Sequence, residues 1–145
     1  MKEEDRKIGP EIHCTDLKLS RNLSAHVRKS GVDEVTMMHG WIIRYLYENR
    51  EQDIFQKDIE KEFSIRRSTA SKALSIMEEK GLIKRESVPY DARLKKLVLT
   101  DRAIELNKII EFDIVEIDKK MTAGLSDEEI SAFIATIQKI KKNLE

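Results

Sequence analysis

Apolar positions recur with a helical period along most of this chain, and the period changes once. Ala70, Ala73, Leu74 and Met77 fall at i, i+3, i+4 and i+7, the spacing of one apolar stripe on a helix that Gly81 stops. Residues 82–86 and 94–99 then read as two short strands, joined by the run 87–93, which is rich in turn formers such as Pro89 and Asp91. Ahead of the stripe, residues 56–63 read as a short helix with Ile59 and Phe63 turned inward. Ser64 and Ile65 follow as a turn.

The same periodicity organises the flanks. Ile12, Leu19, Leu23 and Val27 mark a narrow stripe on a first helix that ends near Gly31. Thr36 is placed to cap a second helix, whose Met38, Trp41, Ile42, Tyr45 and Leu46 should form the centre of a lobe, with Trp41 in its core. Residues 49–53 read as a loop. Beyond the strands, Thr100 can cap a long helix that carries Asp101 in its first turn, where a carboxylate favours the helix dipole. Ile104, Ile110, Ile114, Ile117 and Met121 form its main stripe, while Leu106, Ile109, Phe112 and Val115 add apolar area on other faces. Gly124 ends this helix, and Ser126 with Glu129 makes a capping box for a last one bearing Ile130, Phe133, Ile134, Ile137 and Ile140. Terminal helices with this much surplus apolar surface call for a partner chain.

The fold expected is mainly α with a small antiparallel β-hairpin, and a short helix, a turn, a longer helix and a hairpin together make a winged helix-turn-helix. A single domain, 1–145, would hold that lobe at 36–100 and dimerisation helices at 11–30 and 101–145.

Composition supports this outline: 37% charged and 6% aromatic residues suit helices with solvated faces. Total charge says nothing, because 27 basic residues cancel 27 acidic ones. Distribution is informative. Residues 64–100 hold nine Lys or Arg against four Asp or Glu, a net +5 that leaves −5 for the remainder. A neutral chain with one concentrated basic segment can bind a polyanion through it. The helix bearing the Ala70 stripe has Arg66, Arg67, Ser68, Thr69, Ser71, Lys72 and Ser75 on its other face. These cations and short hydroxyls are the groups that a helix in a DNA groove presents to phosphates and base edges.

The run EEKGLIKR followed by DARLKKLVLT resembles the recognition helix and wing of MarR-type bacterial transcription regulators, with Asp91, Arg93, Leu99 and Thr100 in the family's order. One departure is Ala103, where members often carry glycine, a position read as structural. The resemblance implies a double-stranded DNA-binding regulator, a repressor acting as a homodimer on a pseudo-palindromic operator, with a small-molecule effector as a further partner. It also implies that Arg93 enters the minor groove and that Asp91 orients it. Lys95 and Lys96 of the wing join the expected DNA contacts. The competing class is a winged-helix module that uses its polar helix for a protein.

Cys14 is the only cysteine, which excludes an intramolecular disulfide framework and agrees with a reducing, cytoplasmic setting. Some relatives of the resembled family sense peroxide through a cysteine near the start of the first helix, so Cys14 is the candidate redox input, with an inert thiol as the preferred reading. His13, His26 and His39 lack metal-ligand spacing. Neither a nucleophile with its base nor a phosphate-binding glycine loop is recognisable, so an enzyme is not expected and no cofactor or metal is called for. No apolar run is long enough to span a membrane, and residues 1–9 lack the apolar core of a secretion signal.

Overall fold

The computed structural model describes residues 7–29, the last three of them by backbone alone, and residues 37–145. The expected Thr36 cap and Gly31 terminus, and the side chain of Val27, lie outside the described residues. Among the described residues there are six helices and one two-stranded sheet, in the order α1 (Ile8–Lys29), α2 (Met37–Glu48), α3 (Gln56–Glu62), α4 (Arg67–Glu79), β1 (Ile83–Val88), β2 (Asp91–Leu99), α5 (Asp101–Thr122) and α6 (Asp127–Asn143). The chain divides into two compact units, Met1–Asp113 and Ile114–Glu145.

In the first unit the core is built from α2, α3, α4 and the hairpin. Ile42, Ile43 and Leu46 of α2, Ile59 of α3, Ala70, Leu74 and Met77 of α4, Leu82 just before β1, and Ile83, Val88 and Leu97 of the hairpin are all buried. Tyr45 meets the Phe63 ring edge-on, with centroids 5.9 Å apart. Trp41 is only half-buried, and the centre it was expected to occupy is taken by Ile42 and Ile43, two adjacent β-branched residues that both face inward. α1 begins at Ile8, earlier than the apolar stripe marks, because Pro10 sits in the first turn, where backbone N–H groups have no helical acceptor to lose.

The α5 seam also differs from expectation. Its buried positions run Ala103, Asn107, Ile110, Ile114 and Ile117, whereas Ile104 is half-buried and Met121 exposed. A small residue and a polar one open the seam, and neither registers in a pattern of large apolar side chains. Ala103 is fully buried, consistent with a structural role for the residue that stands where glycine is common. Phe112 remains 65% exposed, and Asp113, almost wholly buried, lies 4.0 Å from Nδ1 of His26 on α1.

In the second unit Gly124 turns the chain with φ +80, a conformation that costs glycine little. Ser126 Oγ accepts from Glu129 N–H at 3.2 Å and Glu129 Oε2 accepts from Ser126 N–H at 2.8 Å, the reciprocal capping box that opens α6. No α6 residue is buried, and Phe133 is 62% exposed. None of the described helices is long and apolar enough to cross a membrane.

Candidate nucleic-acid interface

The proposed reading helix, α4, is held at both ends. At its start the backbone reverses through Ser64, which adopts φ +50, and Ile65 N–H donates to the Glu60 carbonyl at 3.0 Å. At its end Gly81, with φ +70, donates to the Glu78 carbonyl at 3.0 Å, and Leu82 N–H reaches the Met77 carbonyl at 2.9 Å. That pair of bonds is a Schellman motif, which satisfies the last carbonyls of the helix and turns the chain into the hairpin. Thr100 then joins α4 to α5. Its hydroxyl donates to the Gly81 carbonyl at 2.7 Å and accepts from Ala103 N–H at 3.2 Å, so one side chain caps α5 and binds the end of α4.

With Ala70, Ala73, Leu74 and Met77 buried, the opposite face of α4 is left to solvent. Arg66, Arg67, Ser68, Thr69, Ser71, Lys72 and Ser75 are all exposed on it or at its start. An open groove of about 530 Å³ lies alongside, lined by Met38 and His39 of α2 and by Ser68, Thr69, Lys72, Ala73 and Ile76 of α4. Burial of the His39 imidazole, with Lys80 as the second cause, holds its pKa below the ordinary histidine value.

The hairpin is longer and its turn shorter than the sequence pattern indicates: only Pro89 and Tyr90 separate the strands. Polar residues that read as loop belong to the solvated end of the ladder, where Lys95 Nζ donates to Ser87 Oγ at 2.6 Å across the strands. Register explains where Arg93 goes. Ser87 pairs with Lys95 but Val88 pairs with Asp91, so residues 92–94 bulge out of β2 with no counterparts on β1. Arg93 sits on that bulge with its side chain 90% exposed. Asp91 accepts from its Nε and its Nη2, both at 3.1 Å, and from its backbone N–H at 2.9 Å. The side-chain bonds, then the backbone bond, hold the Asp91 carboxyl below the usual carboxylate range.

Two contacts that fix the wing have no local signature. Arg85 of β1 lies 3.3 Å from Glu78 in the last turn of α4, bracing hairpin against helix. Lys96 is not simply a free cation for DNA, since its Nζ lies 3.5 Å from Asp53 Oδ1 in the loop between α2 and α3. Cys14 is exposed on α1. Among the described residues no group of His, Cys, Asp and Glu side chains could hold a metal ion.

A model of the MarR family matches residues 34–94, a stretch that contains α2 through the Arg93 bulge. Over a much longer span, the chain is 30% identical to the transcription regulator MarR from Oenococcus oeni PSU-1, covering 94% of this chain and 99% of that one with a TM-score of 0.80. The chain belongs to the MarR family. It is therefore a DNA-binding transcription regulator of the winged helix-turn-helix kind, not an enzyme. Other MarR-like structures share the fold at lower identity. MepR of S. aureus, in complex with DNA, is 22% identical, with 99% of this chain and 100% of that one covered and a TM-score of 0.87. A putative MarR family regulator from Listeria monocytogenes, complexed with 26mer DNA, is 19% identical over 96% of this chain and 89% of that one, with a TM-score of 0.82.

Proposed function

We propose that the chain is a repressor that binds a pseudo-palindromic operator as a homodimer in the cytoplasm and is released from it by a small-molecule effector. The observation that carries this reading is the joint exposure of two cationic elements on one braced lobe, the polar face of α4 and Arg93 on the β2 bulge. In this assignment Arg66, Arg67, Ser68, Thr69, Ser71, Lys72 and Ser75 meet phosphates and base edges in the major groove. Arg93, aligned by Asp91, enters the minor groove, and Lys95 with Lys96 meets the backbone. That MepR and the Listeria regulator were crystallised with DNA supports the reading, because this chain has their fold.

Dimerisation is supported by apolar side chains left in solvent on α1, α5 and α6, among them Ile12, Phe112, Val115 and Phe133. Residues 36–100 would form the DNA-binding lobe, and 11–30 with 101–145 the dimerisation region. Two lobes would then address major grooves about 34 Å apart. A small-molecule effector is part of this reading through the family resemblance. The test is a mobility shift with random-sequence duplex at two salt concentrations. Counterion release predicts binding that weakens steeply with salt, whereas a protein-interaction module would show no such binding.

A further inference from the structure

The wing meets the helix-turn-helix at a junction whose acidic member, Asp53, has no part in the proposed DNA contacts. Leu97 N–H donates to the Ile54 carbonyl at 2.7 Å, which lays the loop between α2 and α3 along the edge of β2. Beside that bond Asp53 engages both of its carboxylate oxygens. Oδ2 accepts from the Tyr90 hydroxyl at 3.0 Å, and Oδ1 lies 3.5 Å from Lys96 Nζ. Tyr90 belongs to the two-residue turn and Lys96 to β2, opposite Glu86. One carboxylate therefore reaches both the tip and the middle of the hairpin from a different part of the lobe. Its own position is set by Ile54, which is buried next to it.

Val88 buries the base of the turn, but burial does not hold its tip. Tyr90 is 62% exposed, so little apolar area anchors it, and its contact to the lobe runs through the hydroxyl. The Lys96 side chain is only 33% exposed, less free to follow a phosphate than a fully solvated lysine. The bulge that carries Arg93 lies between these two contacts in sequence.

We propose that Asp53 is the positioning residue of the wing, holding its turn through Tyr90 and its second strand through Lys96, and thereby fixing where the bulge presents Arg93. The role rests on the DNA-binding reading above, in which Arg93 meets the minor groove. The Asp53–Lys96 pair alone would contribute little, as partly exposed ion pairs do, so the role depends on the carboxylate engaging Tyr90 and Lys96 together.

The experiment uses the full-length protein and two measurements. The first, without DNA, is amide exchange across the wing and across α4 in wild type, Asp53→Ala, Asp53→Asn and Tyr90→Phe. Asp53→Ala should speed exchange at residues 90–97 about fivefold while α4 keeps its protection. Asp53→Asn still offers an oxygen to Tyr90 and should retain most of the wild-type protection; Tyr90→Phe should mimic Asp53→Ala at the turn. The second is binding of each variant to duplexes with A·T-rich and G·C-rich flanks. Asp53→Ala should lose flank preference, as is expected of Arg93→Ala, while its half-site preference is kept. Unchanged wing exchange in Asp53→Ala, or an equal rise in α4 that signals global loosening, overturns the positioning role. Wild-type protein that binds no duplex overturns the DNA reading instead, and the exchange data still decide whether Asp53 orders the wing.

Discussion

Arg93 is gripped by Asp91 through two parallel side-chain contacts of 3.1 Å, although its guanidinium is almost wholly in solvent. An exposed pair of this kind adds little stability, and the role we propose for it is to aim a long side chain before it meets DNA. Arg93→Ala should weaken binding to every site and reduce the preference for A·T-rich flanks, since a minor-groove arginine responds to groove width and potential. Asp91→Asn should cost less, because the arginine remains but is no longer aimed. Asp91 has a lowered pKa, so its contribution is present above the unfolded value of 3.8 and is lost only as pH falls through the lower folded value. Wing-dependent affinity should therefore not respond to Asp91 titration at neutral or mildly acidic pH. Fluorescence anisotropy across a flank panel checks all three outcomes.

Substitutions on α4 should change specificity where those on the wing's lysines do not. Ser71→Ala or Lys72→Ala should alter preference at defined half-site positions, by about 1–3 kcal/mol for a residue making a good base contact. Lys95→Ala should lower affinity evenly across sites and flatten the log–log salt slope by roughly one. Binding isotherms for operator point variants at several salt concentrations separate the two behaviours.

Much of this was legible because it is local. The capping box of Ser126 and Glu129, the glycine stops at Gly81 and Gly124 and the apolar stripe of α4 all depend on residues a few positions apart. The polar face of α4 followed from the same stripe by exclusion. What could not be read depends on pairing across distance. The bulge at residues 92–94 is a consequence of strand register, and the Asp53 contacts span 37 and 43 residues to Tyr90 and Lys96. The α5 seam was legible at Ile110, Ile114 and Ile117, but its opening escaped because Ala103 and Asn107 are buried by packing rather than by hydrophobicity.

The exposed apolar residues of the last helix should be interface residues. A fully buried Phe or Ile is worth about 1.5–3 kcal/mol, and in a two-fold dimer each occurs twice. Phe133→Asp and Ile134→Asp should each shift the protein toward monomer at micromolar concentration while helicity is retained. Light scattering with circular dichroism checks this, and unchanged dimerisation in both variants would place the interface elsewhere.

His39 should make stability depend on pH. Its pKa is below 6.5 in the folded chain, so the unfolded chain takes up the proton first on acidification. The sign follows: above pH 6.5 the imidazole is neutral in both states and imposes no penalty, and stability falls as pH drops from 6.5 toward the folded value. His39→Gln should flatten that part of the curve. Urea midpoints of both proteins at about pH 7.5 and about pH 5.5 give the comparison, and identical pH dependence would remove His39 as its source.

The central claim is that paired lobes read DNA through α4 and the Arg93 wing. Selection of duplexes from a random pool by the wild-type protein tests it most directly, with Arg93→Ala selected in parallel. The expected result is an inverted repeat whose half-site centres lie about one helical turn apart, bordered by A·T-rich flanks that the Arg93→Ala pool lacks. Recovery of no enriched sequence by well-folded wild-type protein, or of an unpaired site with the same flanks in both pools, would contradict it.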